Sequence, residues 1–133
     1  MGKYLGEVLP ANIFAFFCHA TMTGIASTVD KDGFPNGAPM SMFYALDNRH
    51  ILMAVQNKSR TFQNADSTGK IALSFIASGD IAFTLQAYSQ IFRHQMKKSK
   101  NMGILLLQCR SVKSDVAIDV EVKEGIKTPF RSP

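Results

Sequence analysis

The sequence contains no tryptophan, only two cysteines in 133 residues, and no long apolar run. Cys18 and Cys109 lie far apart and form no Cys-x-x-Cys pair, which argues against a disulfide framework, a zinc ribbon or a dithiol redox motif. The longest compact apolar run, residues 104–107, suits a buried strand and is far shorter than the roughly 20 residues of a membrane-spanning helix. Because the first residues also lack the pattern of a signal peptide, we expect a cytoplasmic protein in a reducing compartment.

Common catalytic motifs are absent as well. The chain has no Gly-x-Ser-x-Gly elbow, and residues 67–70 do not form a P-loop, because the upstream glycine and the following Ser/Thr are both missing. His19, His50 and His94 are spread along the sequence without the spacing of metal ligands. We therefore expect no metal site, and no side chain stands out as catalytic.

The composition is that of a folded domain with a basic excess. Hydrophobic residues make up 46% of the chain and charged residues 19%, and the length fits a single domain over residues 1–133. The net charge of +5 would suit a nucleic acid, an anionic membrane or a phosphorylated ligand. Its densest part, residues 93–100, is interpreted as a solvated loop. A nucleic-acid-binding small barrel is a remote alternative, because it needs interleaved exposed aromatics and only Phe92 adjoins this loop. We expect neither a nucleic acid nor a membrane as partner.

Hydrophobic spacing predicts a helix followed by two β-hairpins in the first half of the chain. Pro10 suits the first turn of a helix whose apolar face includes Ile13 and Phe17 and which ends near His19. The Asp-Gly pair at residues 32–33 favours a tight hairpin turn. The predicted strands span residues 25–29, 38–45 and 50–55.

The second half predicts a short helix and four more strands. Ser59 is a good N-cap for this helix, which should stop at residues 67–69. The predicted strands span residues 70–76, 81–92, 104–111 and 116–123. The last strand has the clearest alternation, since four valine and isoleucine side chains would face one way. Many short strands favour a barrel or a sandwich, whereas the alternating helices and Gly-rich turn of a dinucleotide-binding fold are missing.

The most informative group of side chains lies in residues 56–61. This segment follows a strand and combines the cations Lys58 and Arg60 with the hydroxyls of Ser59 and Thr61. Charge, a forked guanidinium donor and the free N–H groups of a helix N-terminus are what an anionic phosphate needs. A plain capped helix with exposed basic residues would show the same pattern, so both interpretations stay open at this point.

The order and spacing of these motifs resemble the FMN-binding split barrels related to pyridoxamine 5′-phosphate oxidase. Residues 26–35 resemble the opening hairpin of that family, and residues 58–64 resemble its phosphate motif. Residues 70–75 and 85–88 resemble the next two strands. The resemblance covers about residues 20 to 92 and depends on all the motifs together.

The resemblance implies a mainly β fold, an antiparallel six- to seven-stranded split β-barrel of Greek-key type, with an N-terminal helix and a short helix after the third strand. It also implies a homodimer that holds one FMN in each of two clefts between the subunits. Ser59, Arg60 and Thr61 would hold the phosphate, with Lys58 beside them. The residues along the isoalloxazine would be Met40, Ser41, Met42, Ala54, Val55 and Gln56, with Gln86 reaching the same cleft.

Several positions depart from the true oxidases of that family. Thr61 stands where they carry lysine, Pro39 and Tyr44 stand near positions where they carry basic residues, and Ala87 replaces a glycine. The C-terminal tail does not match their substrate-binding segment, which contains a tryptophan. We therefore expect weaker FMN affinity and an FMN-dependent oxidoreductase of unknown substrate rather than a pyridoxamine phosphate oxidase. A reduced nicotinamide or deazaflavin would be the electron donor, and the alternative function is a non-catalytic protein that binds FMN or haem.

The tail from Gly125 to Pro133 contains two prolines, which prevent it from continuing as a central strand. We expect it to leave the barrel as an extended arm. It is either a surface patch or frayed end, or an arm that crosses to the partner subunit and covers the flavin cleft with Phe130 and Arg131.

Overall fold

The computed structural model of the protein describes residues 2–18, 22–126 and 131. Within them, a single antiparallel sheet is accompanied by two helices. The elements in chain order are β1 (Lys3–Gly6), α1 (Ala11–Cys18), β2 (Gly24–Val29), β3 (Pro35–Met40), β4 (Phe43–Ala45), β5 (His50–Gln56), α2 (Arg60–Thr68), β6 (Lys70–Ala77), β7 (Ile81–Arg93) and β8 (Met102–Ser114).

The sheet curls into a split barrel, which confirms the fold class expected from the sequence. Its strand order is β3-β2-β6-β7-β8-β5-β4, and β1 pairs with the end of β8. Although β3 and β4 stand at opposite ends of this order, only Ser41 and Met42 separate them in the chain. So short a link spans at most about 10 Å, so the two ends of the sheet must come together.

The core fills the inside of the curled sheet, and α1 closes one end of it. Ile51, Met53 and Val55 alternate inward along β5. From α1, the ring of Phe17 packs edge-on against Phe75 and Phe83, with ring centroids 5.1 and 6.0 Å apart. Edge-to-face contacts of this kind add stability beyond the apolar area that they bury.

The helix α2 begins and ends where its sequence predicts. The side chain of Ser59 accepts the N–H of Phe62 at 3.1 Å, and Gly69 ends the helix in the left-handed conformation at φ 68°. Phe62 and Ala65 are buried against the sheet. The amide of Asn64, also buried, donates to the hydroxyl of Thr28 on β2 at 3.1 Å. These contacts fix the N-terminus of α2 relative to β2.

The prediction of a last strand at residues 116–123 is wrong. Residues 115–126 contain no strand, Ile118 lies fully exposed in a turn, and Val120 is 63% exposed. Val122 makes two hydrogen bonds with Asp80 in the turn between β6 and β7, without forming a strand. Alternation specifies a strand only where a free sheet edge is available, and β8 already pairs with β7 on one edge and with β5 and β1 on the other.

Two further expectations are corrected at the N-terminal side of the sheet. The single strand predicted at residues 38–45 is divided into β3, which starts earlier at Pro35, and β4, because the chain changes its pairing partner from β2 to β5 between them. The short strand β1 carries no clear alternation and was not predicted. Neither described helix is long and apolar enough to cross a membrane.

The expected C-terminal arm is described only in part. Gly125 packs so closely on β6 that a Cβ there would collide with the carbonyl oxygen of Ile76. Arg131 is exposed, whereas Phe130 and the helix end expected near His19 lie outside the described residues. The crossing of the arm to a partner subunit stays a prediction.

Candidate functional site

A V-shaped split opens where the two ends of the sheet come together. On one side β3 pairs with β2, and on the other β4 pairs with β5. The N–H of Ala54 on β5 donates to the carbonyl oxygen of Met42 at 3.0 Å, which closes the split at that point. Between this point and the ends at Pro35 and Gln56, β3 pairs with β2 and β5 pairs with β8, and the described residues show no pairing of β3 with β5. The link between β3 and β4 therefore forms the apex of the split.

The N-terminus of α2 lies across the open end of this split. It follows β5 after a three-residue turn, and it also contacts the β2–β3 hairpin on the opposite side. The amide of Asn36 on β3 donates to the hydroxyl of Thr61 at 3.4 Å. The guanidinium of Arg60 lies 3.9 Å from the carboxylate of Asp30. The residues predicted to hold a phosphate are thus brought to the mouth of the split.

The donors at this helix end fit a bound phosphate. The side chain and the carbonyl of Ser59 accept the N–H groups of Phe62 and Gln63, at 3.1 Å each. Helix geometry leaves the N–H groups of Arg60 and Thr61 without an acceptor inside α2, and the helix dipole is positive at this end. The Arg60 side chain is 67% exposed, so its guanidinium donors remain accessible. Together these groups can bind an anion.

Asp30 introduces a negative charge into the same site. Its Oδ1 accepts the N–H groups of Asp32 and Phe34, at 2.8 and 2.9 Å, which holds the tight turn between β2 and β3. Its Oδ2 faces the Arg60 guanidinium. Because the guanidinium of Arg60 is exposed and its distance to Asp30 is long, the pair is weak, and a phosphate could compete for Arg60. The phosphate would then meet the Asp30 carboxylate beside it.

The residues expected along the ring of a flavin are only partly accessible. Met40 is half-buried at the end of β3, while Ser41 and Met42 are exposed in the link to β4. On β5, Ala54 is half-buried on the outer face and Gln56 is exposed. These five residues lie along the split, where a planar group would contact them.

Two of the predicted site residues point into the barrel instead. The side chains of Val55 and Thr61 are each 2% exposed. Val55 belongs to the core, and the hydroxyl of Thr61 is engaged with Asn36. Their backbone atoms can face a ligand, but their side chains cannot without rearrangement. The alternation along β5 contained this signal, since Val55 shares the inward face with Met53.

Within one protomer, Gln86 is not brought to the split. It lies on the outer face of β7, in a row that crosses the sheet through Ala72 and Ser27 to Gly37 on β3. Three strand spacings separate it from β3, which is roughly 14 Å. Gln86 lines a groove on the outer face together with Arg110 of β8, and its place in a cleft between two subunits stays a prediction.

The outer face of β4, β5 and β8 carries an apolar patch. Tyr44, Leu52 and Leu106 are aligned across these three strands. Ala54 and Ile104 form the next row. Tyr44 is 62% exposed, and the other four side chains are half-buried. A contiguous apolar surface of this kind typically marks a contact with another molecule.

Comparison with known proteins gives one family and many related folds. The family model described as Pyridoxamine 5'-phosphate oxidase matches residues 11–124. No curated protein sequence matches the chain at a significant level.

Three solved structures illustrate the shared fold. A candidate pyridoxamine 5′-phosphate oxidase from Lactobacillus delbrueckii is 20% identical, with 83% of this chain and 98% of that chain covered and a TM-score of 0.68. An F420 reductase is 13% identical, with 73% and 93% covered and a TM-score of 0.60. An FMN-binding protein from Syntrophomonas wolfei is 15% identical, with 67% and 74% covered and a TM-score of 0.52. At these identities the similarity shows the fold alone.

Proposed function

Since the chain belongs to the pyridoxamine 5′-phosphate oxidase family, we propose that it is an FMN-dependent oxidoreductase that holds the flavin phosphate at the N-terminus of α2. The observation that carries the proposal is the position of Arg60 and the free N–H groups of α2 at the mouth of the split. A charged group bound there leaves room for a planar ring towards the apex at Met42. FMN, when bound, supplies hydride or electron transfer.

The residues of this chain would bind and orient the cofactor. Arg60 would give the phosphate a bidentate contact and Lys58 a point charge, while Ser59 keeps α2 capped so that its free N–H groups stay in place. Met42 and Ala54 would offer apolar surface to the ring and limit its contact with water. No described side chain at the split is required as an acid or base, so the electron donor, a reduced nicotinamide or a deazaflavin, would react directly with the cofactor.

We expect this site to bind a phosphate more weakly than the site of a family member that carries a second basic side chain there. The hydroxyl of Thr61 is engaged with Asn36, and the Asp30 carboxylate offsets part of the Arg60 charge. With no tryptophan anywhere in the chain, we propose that the substrate is not pyridoxamine phosphate.

The test compares FMN with riboflavin, which lacks the phosphate. We expect Arg60→Ala to weaken FMN binding by about 1.5–3 kcal/mol, the scale of a charged hydrogen bond, and Lys58→Ala to weaken it less. Riboflavin binding should change little in either variant. Equal affinities of the wild type for FMN and riboflavin would contradict the assignment of this segment to phosphate. Purified protein with a haem spectrum instead of a flavin spectrum would contradict the cofactor.

We also propose that the protein is a homodimer that pairs through the apolar patch of β4, β5 and β8. The patch adjoins the split at Ala54, so a partner subunit on it would cover one side of a bound flavin. Stable interfaces bury about 1,200–2,000 Å² in total, which a patch across three strands and its rim can supply. Tyr44→Glu, on the exposed edge strand, should shift sedimentation towards the monomer without changing the circular dichroism spectrum. A wild type that sediments as a monomer at micromolar concentration would refute the dimer.

A further inference from the structure

The turn that joins β7 to β8 carries a cluster of exposed cations, which we call the basic tip (residues 93–100). Its charged side chains are those of Arg93, Lys97, Lys98 and Lys100. None of the ion pairs among the described residues involves them, and residues 81–114 contain no Asp or Glu. A region of positive potential therefore surrounds the basic tip and favours an anionic partner.

The backbone of the basic tip is organised by hydrogen bonds. The N–H of Met96 donates to the carbonyl oxygen of Met102 at 2.8 Å, and the N–H of Ser99 donates to that of Met96 at 3.3 Å. Lys97 and Lys98 are thus the two central residues of a tight turn, where Gly, Asn, Asp and Pro are the usual choices. The turn itself does not require lysine there, and adjacent like charges repel each other. The lysine pair therefore indicates a role outside the turn.

Asn57 fixes the basic tip to the turn that leads into α2. Its side-chain amide donates to the carbonyl oxygens of His94 and Lys100, at 2.9 and 2.8 Å. The ring of Phe62 on α2 lies beside that of His94, with centroids 6.3 Å apart. Because Asn57 directly precedes Lys58 in the chain, these contacts hold the basic tip beside the mouth of the split, where we have placed the flavin phosphate.

The shape and chemistry of the basic tip favour a protein partner. Small-molecule sites are concave, whereas these lysines lie at an exposed turn beyond the ends of two strands. Single-stranded nucleic acid needs free aromatic faces beside the cations, and the exposed ring of Phe92 already has the guanidinium of Arg93 over it, 5.7 Å from its centroid. Lysine side chains act as point charges, which suit the scattered carboxylates of an acidic protein surface.

We propose that the basic tip docks the acidic surface of a one-electron carrier protein that accepts electrons from the reduced flavin. The proposal rests on the proposed function for the presence of the flavin. The reduced flavin returns to its oxidised form by passing one electron to each of two oxidised carrier molecules, and its protons are released to water. Lys97 and Lys98 attract the carboxylates of the carrier and guide it to the mouth of the split. Interfaces of transient redox complexes are small, below about 1,200 Å², and depend on such steering.

The test uses two probe carriers of opposite charge. Plastocyanin is a blue-copper protein with an acidic surface, and cytochrome c is a haem protein with a basic surface. The FMN-loaded full-length protein is reduced photochemically without oxygen and mixed with each oxidised carrier in a stopped-flow instrument. We expect the second-order rate constant for plastocyanin to fall about tenfold as the ionic strength rises from about 0.01 M to about 0.15 M, because salt screens the attraction. The rate constant for cytochrome c should not fall.

Charge-matched double variants assign this attraction to the basic tip. Lys97→Gln combined with Lys98→Gln should lower the rate constant for plastocyanin about fivefold or more at low salt, with FMN affinity and the circular dichroism spectrum unchanged. Lys3→Gln combined with Lys123→Gln removes the same charge from exposed residues outside the basic tip, and β1, which carries Lys3, pairs with the opposite end of β8. This control should react with plastocyanin nearly as fast as the wild type. Equal rate constants in the two double variants would overturn the proposal.

Binding to the flavin-free protein separates the docking surface from the proposed function. Reduced plastocyanin, which is diamagnetic, should shift the amide signals of residues 93–100 of the ¹⁵N-labelled protein. A protein that shows these shifts but binds no FMN would refute the proposed function and leave the docking surface standing. A protein that binds FMN without these shifts would refute the docking surface alone. Tighter binding of a ten-nucleotide thymidylate than of plastocyanin, lost in the lysine double variant of the basic tip, would overturn the proposal in favour of a nucleic acid.

Discussion

Removing the negative charge of Asp30 should strengthen binding of a phosphate at α2. In Asp30→Asn the side-chain Oδ1 still accepts the two N–H groups that hold the β2–β3 turn, so the hairpin is preserved. The change removes only the charge that lies 3.9 Å from Arg60. Two unit charges at that distance interact by ~1 kcal/mol in water, and the exposure of Arg60 places the pair near that limit. We therefore expect about 0.5–1 kcal/mol tighter FMN binding, or about two- to fivefold in affinity.

Calorimetric titration of the flavin-free protein with FMN and with riboflavin measures this effect. Only FMN should gain affinity, because riboflavin has no phosphate to meet the carboxylate. Asp32→Asn is the matched control, since it removes an exposed charge from the same turn without a contact to Arg60. Unchanged or weaker FMN binding in Asp30→Asn, with the circular dichroism spectrum preserved, would refute the reasoning and indicate that Asp30 serves to orient Arg60.

Three further predictions concern stability and local order. Asn64→Ala should lower the free energy of unfolding in urea by about 1–3 kcal/mol, because a buried amide that donates to a threonine hydroxyl is lost; an unchanged midpoint would contradict this. Asn57→Ala should increase amide exchange in the loop of residues 94–100 without global unfolding, since the Asn57 amide donates to two carbonyl oxygens of that loop, at 2.9 and 2.8 Å. The N–H of Arg49 and the ring and N–H of His50 donate to Asp47 and hold the pKa of its carboxyl below the usual value. The Asp47 carboxylate therefore stabilises the fold at any pH above the ordinary carboxyl pKa, and this stabilisation is lost as the pH falls through the lowered pKa. Asp47→Asn should therefore be less stable than the wild type near neutral pH and equal to it in strong acid; a difference independent of pH would contradict this origin.

The sequence predicted those features whose causes are local. Ser59 caps α2 through a contact three residues away, and Gly69 ends the same helix by its own backbone conformation. The turn after β2 depends on the Asp30 side chain and on neighbours within four residues of it. Such contacts exist wherever the segment folds, so the pattern alone is sufficient to predict them.

The errors occurred where the outcome depends on distant partners. Residues 116–123 have the alternation of a strand, but the edges of β8 are already occupied. Gln86 was predicted to reach a cleft between two subunits, and the register of four strands places it on the outer face of its own protomer, away from β3, so that prediction depends on a partner subunit. Thr61 follows the capped end of α2, but only the packing of the helix on the sheet buries its side chain.

The sequence by itself therefore determined the mainly β class, the capped helix α2 and the kind of side chains that a phosphate needs. Tertiary structure alone decided that the two ends of the sheet meet at Met42, that α2 lies across the resulting split, and that the Asp30 carboxylate faces Arg60. It also brought together Arg110 and Gln86, which are 24 residues apart in the chain. The physical reason is that capping and turn formation depend on a few neighbouring residues, whereas strand order and register depend on which edges the whole chain leaves free.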